Sequence, residues 1–217
     1  MLTIELSEGS VLFARDEPVE HVSLIVDGEV EGSFGGHKFL LGKSDVLGLS
    51  NLTGGFYSHT FTAISDVTLY QYPCTDTRTM DALLRGNSDI AYLMVSSVCR
   101  QVAELLKYRS RLTQDVDTAY DLTQDIYAEY SRLCKMYAST PKKLPGFEDI
   151  SKFSGSDFVE GWVRNQYIEI NDLGSTAHKM FFHGNPGITS GFLRRCLEDI
   201  SNILQACNAY HDYLERV

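Results

Sequence analysis

The chain has 217 residues, 43% of them apolar, and a formal net charge of −10. That is enough apolar material for one large domain or two small ones. The acidic balance argues against a surface that docks on nucleic acid or anionic lipid, and no run of ~18 apolar residues offers a membrane-spanning helix.

The charge is uneven: residues 1–75 carry 3 basic and 10 acidic side chains. Glu5 and Glu8 interrupt any basic-then-apolar leader, so a cytoplasmic location is expected. Five cysteines (Cys74, Cys99, Cys134, Cys196 and Cys207) lack CxxC spacing and are odd in number. That fits reduced thiols and neither a disulfide framework nor a zinc site.

Residues 1–75 read as β structure. Short runs rich in β-branched and aromatic residues, at 11–13, 22–26, 39–41, 60–64 and 67–72, alternate with the turn signals Asp27-Gly28, Gly35-Gly36 and Gly54-Gly55. This spacing predicts a sandwich or jelly roll whose last strand Pro73 closes.

Residues 76–140 follow a helical period. A short helix over 77–84 stops at Gly86, and a long one runs over 88–138. Its apolar residues Val98, Leu105, Leu112, Ala119, Ile126 and Leu133 lie seven apart, with Val102, Val116, Tyr130 and Tyr137 as the complementary set. Such a helix, ~75 Å long, overhangs a domain of this size. A homodimer through Val98, Val102, Leu105, Leu112, Val116, Ala119, Ile126 and Leu133 is the expected cover.

Residues 141–217 form the third segment, introduced by a Pro- and Lys-containing linker at 140–146. A small insert has Ser156 as an N-cap for a helix over 157–167. A last helix over 189–215 repeats the heptad through Leu193, Ile200, Cys207 and Leu214, and through Leu197, Leu204 and His211. We expect it to fold back on the long helix, the pair then meeting a second copy as a bundle. The fold class is α+β: an N-terminal antiparallel β-roll (double-stranded β-helix or jelly roll), a long dimerisation helix and a mainly helical C-terminal region.

The stretches Gly9-Ser-Val-Leu-Phe13, Leu24-Ile-Val-Asp-Gly28-Glu-Val30, Ser44-Asp-Val-Leu-Gly48, Ser58-His-Thr-Phe-Thr-Ala63 and Val67-Thr-Leu-Tyr70 carry a resemblance. Residues 9–72 resemble the cyclic-nucleotide-binding domains of the catabolite activator and related Crp/Fnr-type regulators. The resemblance implies a β-roll, a phosphate-binding cassette and a dimerising helix after the roll. In that family the cassette runs Gly-Glu, a short helix, then Arg-Ser/Ala. Helix N–H groups and the Arg receive the cyclic phosphate, and the Glu takes the ribose hydroxyl.

Aligned on Gly48 and Ala63, Leu49 stands at the Glu position and Tyr57 at the Arg position, with Ser58 retained. No Lys or Arg occurs between Lys43 and Arg78. Each lost contact to a charged group is worth ~1.5–3 kcal/mol, so the usual grip on cAMP or cGMP is not expected. The candidate ligand site is Gly48, Leu49, Ser50, Asn51, Tyr57, Ser58, His59 and Thr60. Three occupants stay open: the chain's own Leu49, Phe56 and Tyr57, an uncharged or aromatic small molecule, or an anion held by Ser58 and His59 with N–H groups near Ser50 and Asn51.

Other chemistry is poorly represented. His21, His37 and His59 stand alone on separate elements, and His178 and His183 are five apart, so no metal is expected. Walker, GxGxxG and GxSxG motifs are missing, so neither a cofactor nor an enzyme is indicated. Asp115, Asp117, Asp121 and Asp125 read as a solvated helix face.

The regulators of the resembled family carry a winged helix after the long helix. Residues 150–156 and 167–170 are faintly similar to that layout, but the recognition segment, 157–164, offers Arg164 against Asp157, Glu160 and Gly161. That is poor material for reading DNA. Phe147, Phe153, Phe158 and Trp162 are read as the insert's own small core. The expected function is a cytoplasmic regulatory or sensor module with a small-molecule or protein partner at residues 48–60. The alternative is a divergent DNA-binding transcription regulator of Crp/Fnr type.

Overall fold

Period-two burial builds the N-terminal third. In strand β5 (His37–Leu41), His37, Phe39 and Leu41 are buried while Lys38 and Leu40 face out. Strand β4 (Val30–Phe34) alternates in the same way. The computed structural model describes residues 1–34, 36–52, 54–142 and 182–216. The expected cap at Ser156, the helix over 157–167, the recognition segment 157–164, His178 and the aromatic residues of the insert lie outside the described residues.

The remaining strands are β1 (Leu2–Leu6), β2 (Val11–Phe13), β3 (His21–Asp27), β6 (Val46–Leu47), β7 (Thr60–Ala63) and β8 (Val67–Pro73). Two four-stranded antiparallel sheets result, ordered β1-β8-β3-β6 and β2-β7-β4-β5. Their core is Val22, Ile25, Leu47 and Leu69 from one sheet with Phe39, Leu41, Phe61 and Ala63 from the other. Each large side chain so buried contributes roughly 1.5–3 kcal/mol. Gly32 lies opposite Phe39, and a Cβ there would stand 2.5 Å from the Phe39 ring. The glycine therefore lets that ring lie across the strand.

A short helix α1 (Thr77–Gly86) starts with a capping box, in which Asp76 accepts from the Arg78 and Thr79 N–H groups while Thr79 returns a contact. Two long helices follow, α2 (Ser88–Met136) and α3 (Pro186–Leu214). The described residues fall into two compact units, 1–106 with 182–202, and 107–142 with 203–216.

In the first unit α2 is fastened to the edge strand β6. The Val46 N–H donates to Ser97 Oγ at 2.8 Å, and Gln101 Nε2 donates to the Val46 carbonyl at 3.0 Å. Gln101 also donates to Ser97 Oγ at 3.1 Å. Two side chains of one helix turn thus do what a further strand would do, in a place where Val46 and Ser97 have no access to water. Arg100 pairs with Asp45, whose second carboxylate oxygen accepts the Gly42 N–H at 2.9 Å.

The expectation of a last helix folding back along the long one is corrected in direction. In the first unit His183 meets Asp89 at 3.1 Å and Cys196 lies beside Cys99, so position numbers rise together. In the second unit Tyr108 bonds His211 at 2.5 Å, and Tyr213 lies close to Tyr120 and Asp117. Within each unit α3 therefore runs alongside α2 in the same sense. Asp81 of α1 also holds Ser190 and Arg194 of α3.

The fastening at β6 has a measurable cost when removed. Ser97→Ala leaves a buried N–H without its acceptor and is expected to destabilise the full chain by about 1–3 kcal/mol in chemical denaturation. Arg100→Ala breaks a pair whose guanidinium is half-exposed and is expected to cost about 1 kcal/mol or less. The reverse order would contradict the assignment.

Candidate functional site

Gly48 opens the cassette in the left-handed region, at φ 80°, as cap of a three-residue 3-10 helix, Leu49–Asn51. A Cβ at Gly48 would lie 2.7 Å from the His21 carbonyl oxygen and 3.3 Å from the Tyr57 ring. Only glycine meets both demands. Leu49 is wholly buried, and the Asn51 N–H is already donated to the Gly48 carbonyl at 3.2 Å.

Tyr57 is 2% exposed. Its ring stacks on Phe13 at 4.5 Å between centroids, and its hydroxyl donates to the His21 carbonyl at 3.2 Å. Burial, and then the charges of Glu17 and Glu20, push the Tyr57 hydroxyl well above the usual tyrosine range. Phe61 meets Phe13, Tyr57 and Phe39 edge-on at 6.3–6.4 Å. Phe13, Tyr57, Phe61 and Phe39 thus form a continuous set of ring contacts within the roll. Phe56, expected among the filling residues, is 58% exposed and takes no part, because it pairs in an outer bridge with Pro18.

The polar members of the candidate site bond to one another. Asn51 Nδ2 donates to Ser58 Oγ at 2.6 Å, and Ser58 Oγ lies 2.8 Å from His59 Nδ1. Ser50 Oγ donates to Asn51 Oδ1 at 3.3 Å. Thr60 Oγ1 accepts the Arg15 N–H at 3.2 Å. The far side of the His59 ring faces Phe34, Phe39 and Phe61 at 5.1–6.0 Å, and its Nε2 is buried without a hydrogen-bond partner among the described residues. Burial, with His37 and Arg15 nearby, lowers the His59 pKa to about 3. The ring is neutral at neutral pH and carries no charge for an anion.

Outside the rings a depression of about 270 Å³ is bordered by Phe13, Glu17, Pro18, Glu20, His21 and Tyr57. Two carboxylates at its edge repel a phosphate. The cation nearest in argument is Arg15, which sequence spacing did not single out. Pairing of β2 with β7 brings it beside Thr60, its guanidinium 5.1 Å above the Phe34 ring and 3.7 Å from Asp16. Among the described residues no group of three or more His, Cys, Asp or Glu is placed to hold a metal ion.

The heptad stripe divides in two. Val98, Val102, Leu105, Leu112 and Val116 are buried within their own chain. Ala119 is half-buried, whereas Ile126 and Leu133 are 61% and 41% exposed. Ser97 and Gln101, which fasten β6, were not foreseen. Their signal is two polar residues four apart, flanking Val98 on a buried face.

The buried imidazole makes stability depend on pH. An unfolded His59 takes a proton near pH 6.5, while the folded ring resists it down to about pH 3. Stability is therefore full above pH 6.5 and falls as the pH drops below it, by up to about 1.4 kcal/mol per pH unit. Between pH 7 and pH 5 the parent chain is expected to lose about 2 kcal/mol more than His59→Gln in chemical denaturation. In the folded parent chain the His59 ring resonances should stay flat over that range. Equal losses and a moving ring signal would contradict the buried, neutral state.

The family model for the cyclic nucleotide-binding domain matches residues 3–81. No curated protein matches the chain. Among solved structures, a candidate cyclic nucleotide-binding protein of Geobacter metallireducens is 19% identical over 39% of this chain and 65% of that one, at a TM-score of 0.35. The regulatory subunit of a cAMP-independent protein kinase A from Trypanosoma brucei is 19% identical over 39% of this chain and 34% of its own, at 0.33. The N-terminal domain of a transcriptional regulator from Streptomyces coelicolor is 22% identical over 48% and 75%, at 0.34. Less than two thirds of the first two of these proteins is thus spanned. Residues 3–81 thus match the cyclic nucleotide-binding domain, and two long helices follow them in the chain.

Proposed function

We propose that this chain is a nonenzymatic regulatory module whose cyclic-nucleotide-binding-type roll does not grip cAMP or cGMP in the usual way. The observation that carries the reading is the Tyr57 ring, buried and stacked on Phe13, since Tyr57 aligns in sequence with the arginine of the resembled family. A cyclic phosphate there would displace a buried aromatic contact and meet no cation from the cassette. It would also lie against Glu17 and Glu20. Losing such a contact to a charged group costs ~1.5–3 kcal/mol per bond.

The module acts through its helices. The cassette begins one residue after β6, and β6 is held by Ser97 and Gln101 of α2. A change at residues 48–60 therefore has a short mechanical route into α2. We take α2 as the homodimer element, with the exposed Ile126 and Leu133 as its free part. The output is a change in how two copies meet, read by a protein partner in the cytoplasm. No helix among the described residues is long and apolar enough to cross a membrane.

Thermal unfolding of the full chain tests the reading. A ligand at 100 times its Kd stabilises the native state by ~2.7 kcal/mol, which in a chain of this size raises the midpoint by about 5–11 °C at ~2–4 °C per kcal/mol. With millimolar cAMP or cGMP we expect no concentration-dependent rise. A rise with either nucleotide would overturn the filled-pocket reading.

A further inference from the structure

The far part of α2 presents an apolar stripe to solvent: Leu122, Ile126, Leu133 and Met136 are all exposed, and so is Tyr137 beyond them. The exposed residues shift the second seam set from the one read in the sequence: on the far part of α2 Ala119, Ile126 and Leu133 share one seam position, Leu122, Glu129 and Met136 share the other, and Tyr130 and Tyr137 flank them. The seam is apolar except at Glu129, and that exception discriminates between the ways two copies can pair.

Charge settles the direction. Glu129 is bonded within its own helix by Arg132, at 2.6 and 2.7 Å. Arg132 and Asp125 occupy the same flanking position of successive heptads, and both are exposed. If two copies lie side by side in the same direction, Glu129 faces Glu129 across the seam. Asp115, one heptad before Leu122 on the same seam position, then faces its own copy as well. The flanking partners of Asp125 and Arg132 become Tyr130 and Tyr137, neither of which answers their charge.

Reversing one copy removes every one of these conflicts. With a two-fold axis between residues 127 and 128, Leu122 faces Leu133, Ala119 faces Met136 and Glu129 faces Ile126. Asp125 then lies across from Arg132 twice, once on each side of the axis. Each Arg132 bridges its own Glu129 and the opposing Asp125, using donors that a guanidinium has to spare. The acidic run meets the segment that carries Arg132 and Lys135.

We infer that residues 119–136 of α2 pair antiparallel with the same segment of a second copy of this chain, about an axis near residue 127. The inference rests on the homodimer reading above and adds its segment and direction. The second copy is the occupant whose charge pattern fits, since the stripe is complementary to its own reverse.

The test uses the full chain with Cys134→Ser, which removes the one cysteine that is not buried. Leu122→Cys and Leu133→Cys are introduced in separate, differently tagged chains and oxidised alone or after coexpression. The antiparallel pair predicts a disulfide-linked dimer from the mixture, joining position 122 to 133, and little from either chain alone. Dimers linked 122 to 122 and 133 to 133 would overturn the direction while leaving the homodimer standing. A parent chain that sediments as a monomer at tens of micromolar would overturn both.

A second arm does not depend on the cysteine variants. Arg132→Asp places like charges at both ends of the pair and is expected to weaken dimerisation at least tenfold in sedimentation equilibrium. Asp125→Arg combined with Arg132→Asp is expected to restore it. Failure of the double variant to recover would count against the antiparallel pairing.

Discussion

The buried ring of Tyr57 sets the terms for the rest of the roll. A phenol taken out of water needs a partner for its hydroxyl, and the His21 carbonyl supplies one at 3.2 Å. The same carbonyl oxygen stands 2.7 Å from where a Cβ would sit at position 48, the Tyr57 ring 3.3 Å from it, and φ there is 80°, so residue 48 has to be glycine. The ring then stacks on Phe13, and Phe61 closes edge-on against both. Beside these rings burial keeps His59 a neutral imidazole at neutral pH.

The second constraint is the edge strand. β6 is two residues long and cannot hold a helix by ladder bonds alone. Ser97 and Gln101 answer its backbone groups from α2, and Asp45 with Arg100 adds a charged contact beside them. The cassette, the edge strand and the helix are thus consecutive parts of one hydrogen-bonded assembly. In the proposed reading, a change at residues 48–60 would reach α2 through this link.

Much of this was legible in the sequence. Glycine-punctuated runs located five strands, and seven-residue spacing located both long helices within three residues at each end. β1, β4 and β6 were missed as separate strands for different reasons. β4 carries Gly32, which lowers its strand character, and β6 is too short to show a period. At the site, the absence of a cassette cation could be read directly from the rows. The filling could be read only in part, since Tyr57 and Leu49 are adjacent in motif whereas Phe13, Phe39 and Phe61 come from three strands. Phe56 looked equivalent to Tyr57 and is not, because it pairs in an isolated bridge with Pro18 and is exposed. The direction of α3 was not legible, because heptads fix which face is apolar and say nothing about which way a neighbour runs.

The most direct test is to look for the ring contacts themselves in solution. Proton–proton contacts between the rings of Phe13 and Tyr57, and between His59 and the rings of Phe34 and Phe39, report the filled interior without any ligand or variant. The account predicts that they are present in the free chain and persist unchanged with millimolar cAMP. Their absence, or their loss as the nucleotide is added, would mean that Tyr57 leaves the interior and that the roll can still open to receive a ligand.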